Sequence, residues 1–137
     1  MAFDIMLDAS VPIEYFRAKN KENTVLSQIA RKYDTQSISV IAKLEVLYGV
    51  RAEMFAYWNT VFASMTVVDF TDEMVAKAHE IILDLKRKNC LIDMADLMIA
   101  ATAIVRQIPL ATLNRKHFER IEGLMLVDGE RKIESQS

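Results

Sequence analysis

The sequence predicts an α/β fold: a single domain with a mainly parallel central sheet of four to five strands flanked by helices. Two observations carry this reading. Short apolar runs of four to six residues recur along the chain, each separated from the next by a segment of helical periodicity. That alternation is the pattern of parallel strands joined by helical crossovers. The chain also has 137 residues, 52% hydrophobic and 26% charged, which suits one globular domain able to bury a sizeable core. No internal repeat, low-complexity segment or linker interrupts it, so the domain is placed at 1–128 and a polar tail at 129–137.

The elements follow in order. FDIMLD at 3–8 reads as a first strand. Ser10 is a candidate cap for the helix after it, and Pro12 is tolerated in that helix's first turn. Residues 22–33 read as one helix, and SISV at 37–40 as a second strand. That strand runs directly into the helix IAKLEVLYG, where Gly49 is a candidate stop. Residues 52–65 are helical and MTVVDF at 65–70 is a third strand. Thr71 caps a long amphipathic helix that is acidic at its start and basic at its end, matching the helix dipole. A helix over 93–106 leads into IPLAT at 108–112, the fourth strand. NRKHFERI is a short helix and LMLV at 124–127 a last strand.

Composition narrows the function classes. Net charge is −2, so no global basic field attracts nucleic acid, and any RNA or DNA substrate needs a local cationic patch. The single cysteine, Cys90, excludes an intrachain disulfide and a multi-cysteine zinc site. The N-terminal residues carry Asp4 and Asp8 and no basic stretch, which argues against a signal peptide. No run approaches the ~18 apolar residues that span a membrane. The expected setting is the cytoplasm. Gly49, Gly123 and Gly129 are the only glycines, and no Walker loop, dinucleotide fingerprint or nucleophile elbow is present. His79 reads as a solvated or interhelical residue and His117 as packing for the short helix, and their spacing excludes a zincin.

In a parallel sheet, function gathers at the carboxyl ends of strands. Asp8 ends the first strand, Asn114 follows the fourth, Glu45 lies in the helix leaving the second, and Asp96 lies in the first turn of the helix feeding the fourth. Asp93 and Asp96, taken alone, are explained by capping, with Asp93 at the N-cap and Asp96 three residues on. Glu45 sits among Val40, Ile41, Leu44, Val46, Leu47 and Tyr48, on a helix expected to be largely buried. It either faces a solvent gap or is aimed at a cation, because a lone buried carboxylate is costly. Clustered carboxylates repel one another, and a hard divalent cation resolves the repulsion. The apolar stripe Met54, Phe55, Trp58, Val61, Phe62 and Met65 is wide for one helical face; it is core, or in part a surface for a partner helix or a second subunit.

LDAS (7–10), KLEVLYG around Glu45, IDMADLMIAATA (92–103) and TLNRKHFERIEGL (112–124) fall in an order and spacing that resemble a PIN domain, most closely the VapC toxins of bacterial toxin–antitoxin pairs. The resemblance covers the chain from Phe3 to about Asp128. It implies a Mg²⁺- or Mn²⁺-dependent endoribonuclease, often a homodimer, held inactive by a cognate antitoxin protein. By position it implies Asp8, Glu45 and Asp96 as the acidic, metal-binding core and Asn114 as the fourth catalytic position. Ser10, Asp93 and Thr112 stand beside them as supporting residues. Lys43, Arg115 and Lys116 are the candidates for holding RNA phosphates. Three departures stand out. Ala9 follows the first Asp where Thr or Ser is usual, Met94 replaces an acid found in many relatives, and Asn114 is neutral where some carry Asp. These motivate an alternative, a catalytically decayed PIN-fold binding module acting through a protein partner.

Overall fold

The computed structural model describes residues 3–127; the tail expected at 129–137 lies outside the described residues. Five strands, β1 (Asp4–Leu7), β2 (Thr35–Ser39), β3 (Thr66–Val68), β4 (Leu110–Ala111) and β5 (Leu126–Val127), form one sheet in the order β3-β2-β1-β4-β5. Every pairing in it is parallel. The helices are α1 (Ser10–Arg17), α2 (Val25–Ala30), α3 (Val40–Tyr48), α4 (Phe55–Ala63), α5 (Asp72–Arg87), α6 (Met94–Arg106) and α7 (Arg115–Phe118). The α/β class and parallel sheet are as the sequence predicts. Strands β1, β2 and β3 step outward in one direction, and the chain then returns through α5 and α6 to place β4 on the other side of β1. The strand order therefore reverses between β1 and β4, where a crevice opens at the carboxyl ends.

Both faces of the sheet are covered, as parallel sheets require. Alternation along β1 sends Met6 to one face and Ile5 and Leu7 to the other, and all three are fully buried. Met6 joins the larger core with Ile38, Val68, Leu97, Ile99 and Leu110. Ile5 and Leu7 join the smaller core with Val11, Val25, Ile29 and Ala111. Helix α6 is central to the larger core. Its Ala100, Ala101 and Ala103 are fully buried in that core, and their small side chains let the backbone pack closely on α5. No described helix is long and apolar enough to cross a membrane.

Local departures from the expected elements have identifiable causes. The single helix expected over 22–33 is broken by Thr24, whose hydroxyl accepts a hydrogen bond from Ser27 N at 3.2 Å and starts α2 afresh after a 3₁₀ turn. Thr71 caps α5 as expected, accepting from Met74 N at 3.3 Å. Ser10 is not a cap: it is the first residue of α1, and its backbone N–H instead donates to Asp8 Oδ1 at 3.0 Å. Gly49 does end α3, in a backbone conformation open to any residue (φ −101°). Lys88 pairs with Asp84 and Glu122, so the basic end of α5 is occupied within the fold.

The expectation for α3 needs correction. Its Ala42 and Val46 are buried, but Leu44 is 66% and Tyr48 92% exposed, so one apolar flank has no neighbour in this chain. The α4 stripe divides in the same manner. Trp58 and Phe62 are core, whereas Phe55 is 48% exposed.

Candidate active site

Asp8 follows β1 directly, and Thr112 follows β4, the strand beside it. The switch in strand order thus sets the two residues side by side. Asp8 is 3% exposed. Its Oδ1 accepts from Ser10 N at 3.0 Å and from Ser10 Oγ at 2.5 Å, and its Oδ2 accepts from Thr112 Oγ1 at 2.5 Å. Ser10 Oγ in turn accepts from Leu113 N, and Thr112 Oγ1 from Asn114 N, so the two hydroxyls stitch the ends of β1 and β4 together through the carboxylate. Neutral donors orient Asp8, yet no described cation pairs with it. Burial raises its pKa; the bonds from Ser10 and Thr112 oppose the rise and the charge of Asp96 adds to it.

Asp8, Glu45, Asp96 and Asn114 line one open cleft of about 480 Å³, together with Ser10, Glu14 and Arg17. The four positions named from sequence are therefore brought together. Glu45 is exposed rather than buried, because it lies on the free flank of α3. Its pKa is raised by partial burial first and then by the charges of Asp96, Asp8 and Asp93. Asp93 occupies the N-cap position of α6, but its side chain makes no capping bond, so the expectation that it caps through its carboxylate is not met. Asp96 does not fold back on the helix end either: its Oδ2 lies 2.9 Å from His117 Nδ1. His117, expected to pack α7, is half-exposed and holds this carboxylate, while Phe118 does the packing with no exposed surface.

The candidate phosphate-binding cations fare differently. Lys43, Arg115 and Lys116 do not line the cleft, and the Lys43 ammonium lies 5.3 Å from the centre of the Phe62 ring. The described cation that does line it is Arg17, at the end of α1, which sequence reasoning missed. His117 and Arg17 both escape simple spacing rules. One meets Asp96 across 21 positions, and the other is placed only by how α1 lies against α3.

The donor set fits a hard divalent cation. It consists of carboxylate and amide oxygens, with a buried carboxylate that lacks an ion-pair partner and a second whose pKa is raised by burial and by the charges of Asp96, Asp8 and Asp93. Among the described residues no three such groups are close enough to form a ready-made cage.

The raised pKa of Asp8 has a consequence for stability. A folded-state pKa above the unfolded value favours folding at pH below that value, and the advantage disappears as pH rises through the folded pKa. At neutral pH the ionised Asp8 therefore opposes folding. We expect Asp8→Asn to raise the melting temperature in chelator at pH 7. The gap should close as pH falls towards 4. Calorimetric scans of both proteins across that range check it; a variant less stable than the parent at pH 7 contradicts it.

Comparison with known proteins adds the family. The PIN domain family model matches residues 5–124. Ribonuclease VapC1 of Methanocaldococcus jannaschii is 33% identical over 127 residues, covering 90% of this chain and 87% of the relative. Ribonuclease VapC10 of Mycobacterium tuberculosis is 34% identical over 121 residues, covering 88% and 90%. Among solved structures, that of VapBC2 from Rickettsia felis, bound to a DNA fragment from its promoter, superposes with a TM-score of 0.78 at 26% identity. It covers 91% of this chain and 98% of that one.

Proposed function

Because the chain belongs to the PIN domain family, we propose that it is a VapC-like toxin: an endoribonuclease dependent on Mg²⁺ or Mn²⁺ and restrained by a cognate antitoxin protein. The observation that carries the catalytic reading is Asp8, buried at the switch point without a cationic partner and sharing its cleft with Glu45, Asp96 and Asn114. Asp8 and Asp96 would hold the cation, with Glu45 at the rim and Asn114 offering a neutral oxygen. When bound, such an ion lowers the pKa of water and offsets charge on the scissile phosphate. Ser10 and Thr112 fix the orientation of the Asp8 carboxylate, which lines the cleft. His117 does the same for Asp96. Glu45, with its affinity for protons raised, can orient or accept a proton from the attacking water.

Expression of the chain without a partner tests this directly. Growth arrest that Asp8→Asn abolishes supports the nuclease. Arrest that survives the substitution, or none, favours the decayed binding module, for which the absence of a ready-made cage among the described residues speaks.

The antitoxin would lay an apolar helix in a second groove of about 490 Å³ between α1, α2 and α4, lined by Pro12, Tyr15, Leu26, Trp58, Val61 and Met65. A lysine or arginine on a segment of that partner extending beyond this groove would pair with Asp8 and Asp96 and take the cation's place. Two copies of the chain would associate through apolar surface such as Leu44 and Met94, which are 66% and 62% exposed on the packed helices α3 and α6.

The neutral Asn114 limits cation affinity by charge rather than shape. Asn114→Asp adds one negative charge at nearly constant volume, an interaction on the order of 1–3 kcal/mol with a divalent ion in a wet site. Mn²⁺ should bind roughly tenfold or more tightly. Titration calorimetry on the two proteins checks this, and equal affinities would place Asn114 outside the ion's reach.

A further inference from the structure

The acidic cleft does not end at its carboxylates. A second groove, of about 400 Å³, continues from it, and Ile13, Arg17 and Glu45 line both. This groove has a different character. Trp58, Val46 and Met54 form apolar wall, Arg17 and Arg51 are its cations, and Tyr48 stands at its edge with 92% of its surface exposed. Neither arginine has an ion-pair partner among the described residues. A tyrosine so exposed contributes almost nothing to the core, and its ring is free to stack.

We infer that this groove receives an unpaired nucleobase of the RNA next to the cleaved bond, stacked on Tyr48, while Arg17 holds the intervening phosphate. The inference rests on the ribonuclease reading and deepens it. Continuity is its first ground: a strand whose phosphodiester lies over Asp8, Asp96 and Glu45 passes Arg17 and enters the groove with its next residue. Charge is the second. The three carboxylates repel phosphate wherever no cation intervenes, so the strand needs positive charge on either side, and Arg17 and Arg51 supply it on this side. Chemistry is the third. Apolar wall, an exposed aromatic ring and guanidinium groups together are what proteins use to hold single-stranded bases, whose flat faces stack regardless of sequence. The volume is within the range of small-ligand sites.

The test measures binding of a labelled eight-nucleotide single-stranded RNA by fluorescence anisotropy. It uses the Asp8→Asn protein, in which cleavage is expected to be too slow to interfere, and a series of RNAs with one abasic nucleotide at each position in turn. One abasic position should weaken binding by about tenfold, the usual size of one base–aromatic stack. Adding Tyr48→Ala should weaken the intact RNA by a similar factor and the abasic RNA no further. Arg17→Ala should weaken both RNAs alike. The inference is overturned if every abasic RNA binds like the intact one. It is also overturned if Tyr48→Ala leaves RNA affinity unchanged but alters the mass of the free protein in solution, since Tyr48 would then serve contact between copies. Cleavage of the same RNA by the unaltered chain reads the ribonuclease assignment separately. Cutting with no abasic effect sinks the subsite alone, and neither cutting nor binding sinks both.

Discussion

We expect Asp8→Asn to lower the rate of RNA cleavage by about a thousandfold and to leave the protein folded. The size follows from the carboxylate's position. Asp8 is the most buried of the three acids and is held by Ser10 and Thr112 where it lines the cleft. On the proposed reading, removing its charge would weaken the hold on a cation whose stabilisation of the transition state would be worth several kcal/mol, and about 1.36 kcal/mol is a factor of ten in rate. Folding survives because asparagine keeps the shape. Its Oδ1 still accepts from Ser10, and its amide can donate to the Thr112 hydroxyl. Initial rates on single-stranded RNA with Mn²⁺, beside a melting curve, read both halves of the claim. A fall of less than tenfold would mean that the reaction does not run through Asp8.

Phe118→Ala should be the most damaging single change to the fold near the site, destabilising by about 3–5 kcal/mol. Phe118 has no exposed surface and belongs to the larger core. It closes α7, which spans only Arg115–Phe118. A helix of one turn cannot sustain itself, so packing of its anchor holds it in place. Asn114 precedes that turn and His117 lies within it, on the side facing Asp96. The substitution should therefore lower both urea resistance and the activity that remains at low denaturant. A loss below 1 kcal/mol would show that α7 is held by something other than this ring.

The parts of the site that sequence made legible are those set by strand ends. Asp8 and Asn114 each sit just past a short apolar run, and in a parallel sheet that position is a functional edge wherever the strand order reverses. Asp96 was legible once the helix before β4 had been placed. Glu45 lies in the expected cleft, but its helix is less buried than expected. Periodicity shows that α3 is apolar on most sides, but it does not show which sides the chain itself covers, and Leu44 and Tyr48 were left outside. The break at Thr24 was concealed because helical residues continue on both sides of it. His117 and Arg17 depend on how elements distant in sequence are docked, which no local pattern encodes. Asp93 has the residue type and position of a cap and still makes no capping bond, a reminder that propensity is settled by the surroundings.

The central claim is that this cleft cuts RNA by means of a divalent cation held on its carboxylates. Its most direct test is cleavage of single-stranded RNA by the purified chain, stripped with chelator and then titrated with Mn²⁺. The expected result is no cleavage in chelator, recovery as Mn²⁺ is restored, and no recovery in Asp8→Asn at the same concentrations. Cleavage that continues at full rate in chelator, or that Mn²⁺ restores equally to Asp8→Asn, would contradict it.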